Sequence, residues 1–155
     1  MNSEVSILKN TASGELLARY LLTCDALFQP ELSTQVVIAD YAQKLIDHAE
    51  RFEAWSGGDL IGLVAAYIND PSRRAAYITS VSILAPWQRT GLASKLLTLC
   101  LREVQEAAFS SIQLEVASTN ASAISLYERH GFSIRKHNCD RLTMVTSFEQ
   151  STRND

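Results

Sequence analysis

The chain has 155 residues, 46% of them hydrophobic and 20% charged, with a formal net charge of −3 at pH 7. That length suits one domain able to bury a core without staples, and the mild acidity excludes a dedicated nucleic-acid surface, which would be basic. No apolar run is long enough for a membrane helix, and Met1-Asn2-Ser3-Glu4 lacks the basic, apolar, small-residue order of a signal peptide, so the cytoplasm is the expected compartment.

Val5 to Leu8 reads as a first strand, followed by a turn from Asn10 to Gly14. From Glu15 to Phe28, Leu16, Leu17, Tyr20, Leu21, Cys24 and Leu27 recur at helical spacing, and Phe28-Gln29-Pro30 is a linker that ends the helix. A second helix is predicted over Asp40 to Glu50, with Asp40 as N-cap and Tyr41, Leu45, Ile46 and Ala49 along one side. Ser33 to Ala39 either joins that helix or stays extended. The β-prone runs Arg51 to Trp55 and Leu60 to Ile68 flank Ser56-Gly57-Gly58-Asp59, a hairpin signal with a loop slightly longer than two residues. A turn at Asn69 to Ser72 then leads into a third antiparallel strand, Ala75 to Leu84.

The next stretch, Gln88-Arg89-Thr90-Gly91-Leu92-Ala93, is the centre of the chain. Beyond it Ala93, Leu97, Cys100, Leu101, Val104 and Ala108 form an apolar stripe, predicting an amphipathic helix of about five turns. Ile112 to Val116 alternates as a strand, Ser118-Thr119-Asn120 caps a short helix from Ala121 to His130, and Gly131 ends it in the left-handed conformation. Phe132 to Ile134 and Leu142 to Phe148 read as the last strands, and residues 151–155 as a frayed tail to a single domain of residues 1–150. The order implies an α/β fold: a mixed, largely antiparallel central sheet with helices on both faces.

A strand that enters a glycine turn and then a helix leaves several N–H groups without intrahelical partners, all aimed at one spot that favours an anion such as a pyrophosphate. The glycine suits a chain wrapping a phosphate, because a Cβ would restrict both φ and the closeness of approach. The P-loop alternative fails on order, since Lys95 follows Ser94 instead of preceding it. Cys24, Cys100 and Cys139 are odd in number and far apart, which implies neither a disulfide framework nor a metal cluster, and His48, His130 and His137 have no metal-ligand spacing. No metal is expected.

The turn Gln88 to Ala93 resembles the Gln/Arg-x-x-Gly-x-Gly/Ala signature of the GCN5-related N-acetyltransferase (GNAT) family. Leu114 to Phe132, with Asn120 and Leu126-Tyr127-Glu128-Arg129-His130-Gly131-Phe132, is similar to that family's second motif, particularly in the ribosomal-protein N-acetyltransferases. The two motifs stand in the family's order and separation. The resemblance implies acetyl-CoA as cosubstrate, with Val81, Ser82 and Ile83 offering backbone groups to the pantetheine arm. It further implies that Gln88, Arg89, Thr90, Gly91, Leu92, Ala93 and Ser94 wrap the pyrophosphate, that Asn120 contacts the arm and that Tyr127 faces the sulfur. From the residues alone, Asn120 is at least as readily a plain helix cap, and Tyr127 shares a helical face with Ala123 and Ile124, where aromatic residues are more often core.

Acetyl transfer to an amine needs a base, because lysine-like and α-ammonium groups titrate near about 10.4 and about 8, and an acid for the departing thiolate. Many members of the family carry a glutamate where Thr79 stands, and threonine cannot serve as that base. Glu115 matches the glutamate that does this work in the ribosomal-protein enzymes. Alternation puts it opposite Leu114 and Val116, facing either the cleft or solvent, and deprotonation through ordered water is the fallback. The arginine that follows in those relatives is Ala117 here. The expected activity is direct acetyl transfer to a small amine, an amino sugar or a protein N-terminus, by a monomer or homodimer without nucleic-acid or membrane partners. The alternative is a CoA-binding sensor without turnover.

Overall fold

The computed structural model describes residues 4–69 and 74–148. Most of the turn expected at Asn69 to Ser72, and the tail at 151–155, lie outside the described residues. In chain order the elements are β1 (Ser6–Lys9), α1 (Gly14–Thr23), α2 (Ile38–His48), β2 (Glu50–Ser56), β3 (Asp59–Tyr67), β4 (Ala75–Ile83), α3 (Leu92–Glu106), β5 (Ser111–Ala117), α4 (Ala121–Arg129), β6 (Ser133–Asn138) and β7 (Arg141–Ser147).

The strands form one seven-stranded sheet in the order β1-β2-β3-β4-β5-β7-β6. Every neighbouring pair is antiparallel except β4 with β5. That exception follows from connectivity, since β4 and β5 are joined by the α3 crossover and must run the same way. Helices α1 and α2 cover one face with a core of Leu17, Leu21, Leu45, Leu63 and Ala65. Helices α3 and α4 cover the other, around Leu96, Leu97, Cys100, Ile112, Leu114 and Tyr127. The expected mixed, largely antiparallel sheet with helices on both faces is the architecture found.

Several boundaries differ from the sequence reading for identifiable reasons. Helix α1 begins at Gly14, where the Ser13 hydroxyl caps Leu16 N, and stops at Thr23 instead of continuing to Phe28. Past it, the Asp25 carboxylate accepts from Ser33 N and Oγ, both at 2.7 Å, which folds the chain back on itself. Helix α2 starts at Ile38 with Val37 at the cap position, so Asp40 lies in its first turn, where its charge meets the positive helix end. The hairpin loop is Gly57-Gly58 alone, both at positive φ, because Ser56 and Asp59 already pair. Helix α3 spans 15 residues, roughly four turns. Leu96 joins its buried stripe, and Ala108 falls beyond its end at positive φ. Strand β6 runs on to Asn138 as a fully exposed edge, with Arg135 bulged out of the ladder.

The feature that positions the site is the separation of β4 from β5. Only Ala75 to Tyr77 pair with Ser111 to Gln113; beyond that the two strands diverge, each held by its other neighbour. The bend lies at a bulge where Ser80 opposes Ala65 and Ile78 opposes Ala66, leaving Thr79 without a partner across the ladder.

Candidate active site

The gap between the diverging strands opens a cleft of about 140 Å³, lined by Thr79 and Val81 of β4, Glu115 of β5, Asn120 just before α4, Tyr127 of α4, and Arg141 of β7. Leu27, Phe28 and Leu32, from the segment joining α1 to α2, close one side.

Backbone alternation determines which groups of β4 face this gap. Leu84 N donates to Ile61 O at 2.9 Å, so with the observed register the hydrogen-bonded pairs continue at Ser82 with Leu63 and Ser80 with Ala65. Val81 and Ile83 occupy the intervening positions, and their N–H and C=O groups turn away from β3 toward the gap. The Ile83 carbonyl accepts from Gln88 Nε2 at 3.0 Å. Ser82 is not part of this set, contrary to the sequence reading. Its backbone is committed to β3, and its hydroxyl and carbonyl both meet the Tyr20 hydroxyl, at 3.0 and 3.1 Å.

Beyond β4 the chain makes a short helical turn, Ala85–Trp87, and reaches the glycine turn. Arg89 and Gly91 both have positive φ, 63° and 82°, and the Thr90 hydroxyl donates to Trp87 O at 2.6 Å. Gly91 is required by its φ, since a Cβ there would meet no protein atom within 4 Å. Among the described residues, no acceptor takes the N–H groups of Arg89, Thr90, Gly91, Leu92, Ala93 or Ser94; Lys95 N, bonded to Gly91 O at 3.0 Å, is the first that is satisfied. This run of free donors at a helix N-terminus is an anion cradle.

Tyr127 packs its ring 5.9 Å from that of Phe132 and lies almost wholly buried, which pushes its phenol up to about 12. Its hydroxyl has no hydrogen-bond partner among the described residues, and the residue both joins the core and lines the cleft. Asn120 caps α4, its Oδ1 accepting from Ala123 N at 3.3 Å, while lining the same cleft.

Glu115 lines the cleft, with 44% of its side chain exposed, and its carboxylate lies 3.5 Å from Arg141 Nε. Arg141 is directly opposite Ala117 across the β5–β7 ladder, so a guanidinium reaches the carboxylate from the neighbouring strand. Its Nη1 also donates to Gln29 O at 3.2 Å, bridging the cleft mouth to the segment between α1 and α2. Thr79 is engaged by the Tyr41 hydroxyl, 2.7 Å from Oγ1 and 3.0 Å from the carbonyl oxygen.

The sequence reading missed Tyr77, Tyr41 and Arg141. Tyr77 stands at the point where the strands part, and burial and the Glu115 charge together raise its phenol above the ordinary range. Strand alternation, which puts Tyr77 and Thr79 two positions apart, was the available signal. Arg141 carries no local signal, since its proximity to Glu115 depends on ladder register.

A split sheet with backbone donors on one arm, an anion cradle at its end, and a buried phenol and a carboxylate in the gap is the architecture of a protein that holds an extended, phosphate-bearing ligand with its reactive end inside the sheet. The chain belongs to the Acetyltransferase (GNAT) family, whose sequence model matches residues 17–132. It is 32% identical over 76 residues to N-alpha-acetyltransferase 50 of Danio rerio, a match covering 48% of this chain and 45% of that protein. The chain thus spans less than half the length of the curated relatives it matches. Its fold is that of the ribosomal-protein-S18-alanine N-acetyltransferase of Escherichia coli, with a TM-score of 0.76 at 19% identity over 97% of this chain and 98% of that one. It also matches the PaiA N-acetyltransferase of Thermoplasma acidophilum, solved in complex with coenzyme A, with a TM-score of 0.72 at 15% identity, covering 92% and 99% of the two chains.

Proposed function

We propose that this chain is an N-acetyltransferase that moves the acetyl group of acetyl-CoA onto a primary amine by direct attack, without a covalent acetyl-enzyme. The observation that carries the reading is the pairing of a free N–H run at Arg89 to Ser94 with a cleft lined by both Tyr127 and Glu115. Acetyl-CoA supplies the activated acetyl group as a thioester. The Arg89 to Ser94 turn binds the pyrophosphate, and the pantetheine amides are bound by the N–H and C=O of Val81 and by the N–H of Ile83, whose carbonyl Gln88 already engages. One of their N–H groups donates to the thioester oxygen where negative charge develops. Glu115 accepts the proton of the incoming ammonium, directly or through one water. Tyr127 donates its proton toward the departing thiolate, which titrates near about 8.5 and leaves more readily when hydrogen-bonded.

The acceptor's amine enters between Phe28, Leu32 and Arg141. A protein N-terminus is the first acceptor to test, because the curated relatives include N-alpha-acetyltransferases. Small amines and amino sugars complete the panel. The reading takes residues 1–150 as one domain working in the cytoplasm, as monomer or homodimer.

Calorimetric titration with acetyl-CoA, followed in the same preparation by free-thiol release against that panel, tests it. Binding with turnover and no acetyl-enzyme burst is expected. A stoichiometric burst overturns direct attack, and binding without turnover on the whole panel favours a CoA sensor.

A further inference from the structure

One hydrogen bond joins the two motifs and has no part in the mechanism above. Ser94 Oγ, in the first turn of α3, lies 2.8 Å from Nε2 of His130, which caps the C-terminal end of α4. Both residues are half-buried. Ser94 is the last residue of the free N–H run, so its backbone donor faces the cradle while its side chain faces α4. His130 is held in turn, its N–H donating to Tyr127 O at 3.0 Å.

A serine hydroxyl has one proton and two lone pairs. When an imidazole N–H donates to the oxygen, the hydroxyl proton is left free to go elsewhere. Burial and the neighbouring Arg129 charge push the His130 imidazole below its ordinary value. A neutral ring at pH 7 keeps one N–H, on Nδ1 or on Nε2, and the Nε2–H tautomer is the one that donates to Ser94 Oγ.

We propose that His130 is a positioning residue for the pyrophosphate of acetyl-CoA, acting through Ser94: its Nε2–H holds Oγ so that the serine hydroxyl donates, beside the Ser94 N–H, to a phosphate oxygen in the cradle. This rests on the assignment of the Arg89 to Ser94 turn to the pyrophosphate.

The test is calorimetric titration with coenzyme A of the unaltered chain, His130→Leu, His130→Gln, Ser94→Ala and the Ser94→Ala/His130→Leu double variant. His130→Leu weakens binding about five- to tenfold, within the range of one ordinary hydrogen bond lost. His130→Gln, which retains an amide N–H, recovers affinity to within about twofold. In the Ser94→Ala background His130→Leu adds no further loss, because the two act as one unit. Turnover gives the second readout: His130→Leu raises KM for acetyl-CoA with little change in kcat, and the defect disappears with S-acetylpantetheine, which lacks the pyrophosphate. Equal affinity of His130→Leu and the unaltered chain overturns the proposal, as does an equal loss in both Ser94 backgrounds or a defect that persists with S-acetylpantetheine. If His130→Leu does not fold, His130→Asn, too short to span the gap, takes its place as the loss variant. Gly91→Val separates the two readings: if it binds coenzyme A as tightly as the unaltered chain, the cradle assignment falls; if it binds weakly while His130→Leu does not, only the role of His130 falls.

Discussion

Arg141 approaches Glu115 from the adjacent strand, Nε to Oε1 at 3.5 Å, and with Nη1 bridges to Gln29 O. The carboxylate is therefore paired with a cation that also contacts the segment between α1 and α2, which closes one side of the cleft.

Glu115→Gln keeps the shape of the side chain and removes its capacity to accept a proton. The expected result is a fall in kcat of about a hundredfold or more, with coenzyme A affinity unchanged by calorimetry. Arg141→Ala acts differently, releasing the Gln29 bridge, and raises the acceptor KM more than it lowers kcat. A Glu115→Gln variant as fast as the unaltered chain would assign deprotonation to ordered water.

Tyr127→Phe retains the ring packing on Phe132 and deletes the hydroxyl proposed as proton donor. Turnover is expected to drop about a hundredfold while acetyl-CoA binding stays within about twofold. Because burial holds the phenol at about 12, no fall in rate from its ionisation is expected between pH 7 and about 10. Rate profiles of both chains over that interval check the assignment.

Gly91→Val forces a β-branched residue to φ 82°. The left-handed region costs an L-residue roughly 1–2 kcal/mol, so the turn shifts and the cradle donors lose their common aim. A tenfold or greater loss of coenzyme A affinity is expected alongside a modest drop in Tm, both measurable on one preparation.

The same phenols set a dependence of stability on alkali. Burial raises Tyr41 and Tyr127 to about 12, and each titrates near about 10 when unfolded. Between those values the unfolded chain has given up protons that the native chain still holds, so the native state is stabilised below about pH 10 and loses that advantage as pH rises toward 12. For Tyr127 the loss approaches about 2–3 kcal/mol. Urea unfolding at pH 9 and 11 should show a decline that is shallower in Tyr127→Phe.

These expectations rest on parts of the chain that were unequally legible. The turn read from Gln88 to Ser94 was legible as a turn because its geometry requires glycine at position 91, a local demand, but Gln88 falls outside the free N–H run, its N–H bonded to Ala85 O at 3.2 Å. The face of Glu115 followed from alternation with Leu114 and Val116, but whether that face meets solvent or cleft depends on β4 leaving β5 after Tyr77 and Gln113, which no local pattern encodes. Strand β6 was cut short because an exposed edge buries nothing, so its residues carry no alternation to read. The end of α1 depends on Asp25 reaching Ser33, a contact in a segment whose apolar spacing continued to look helical.

A final prediction concerns the support for the sheet. Glu53 is fully buried at the centre of β2, accepting from Thr11 N at 3.0 Å, Thr11 Oγ1 at 2.6 Å, Ala12 N at 3.1 Å, Trp55 Nε1 at 3.2 Å and Arg51 Nε at 3.2 Å. Arg51, also buried, donates to Ala12 O at 3.1 Å as well. The pair thus ties the β1–α1 turn to the second strand. Removing one partner leaves the other charged and desolvated, so Glu53→Ala is expected to cost about 3–5 kcal/mol. Replacing both, as in Arg51→Leu/Glu53→Leu, abolishes the stranded charge but leaves the Thr11 and Ala12 donors unsatisfied, and should cost less than Glu53→Ala alone. Urea denaturation of the three chains decides it. A double variant less stable than the single one would mean that the backbone donors, and not the uncompensated guanidinium, dominate the loss.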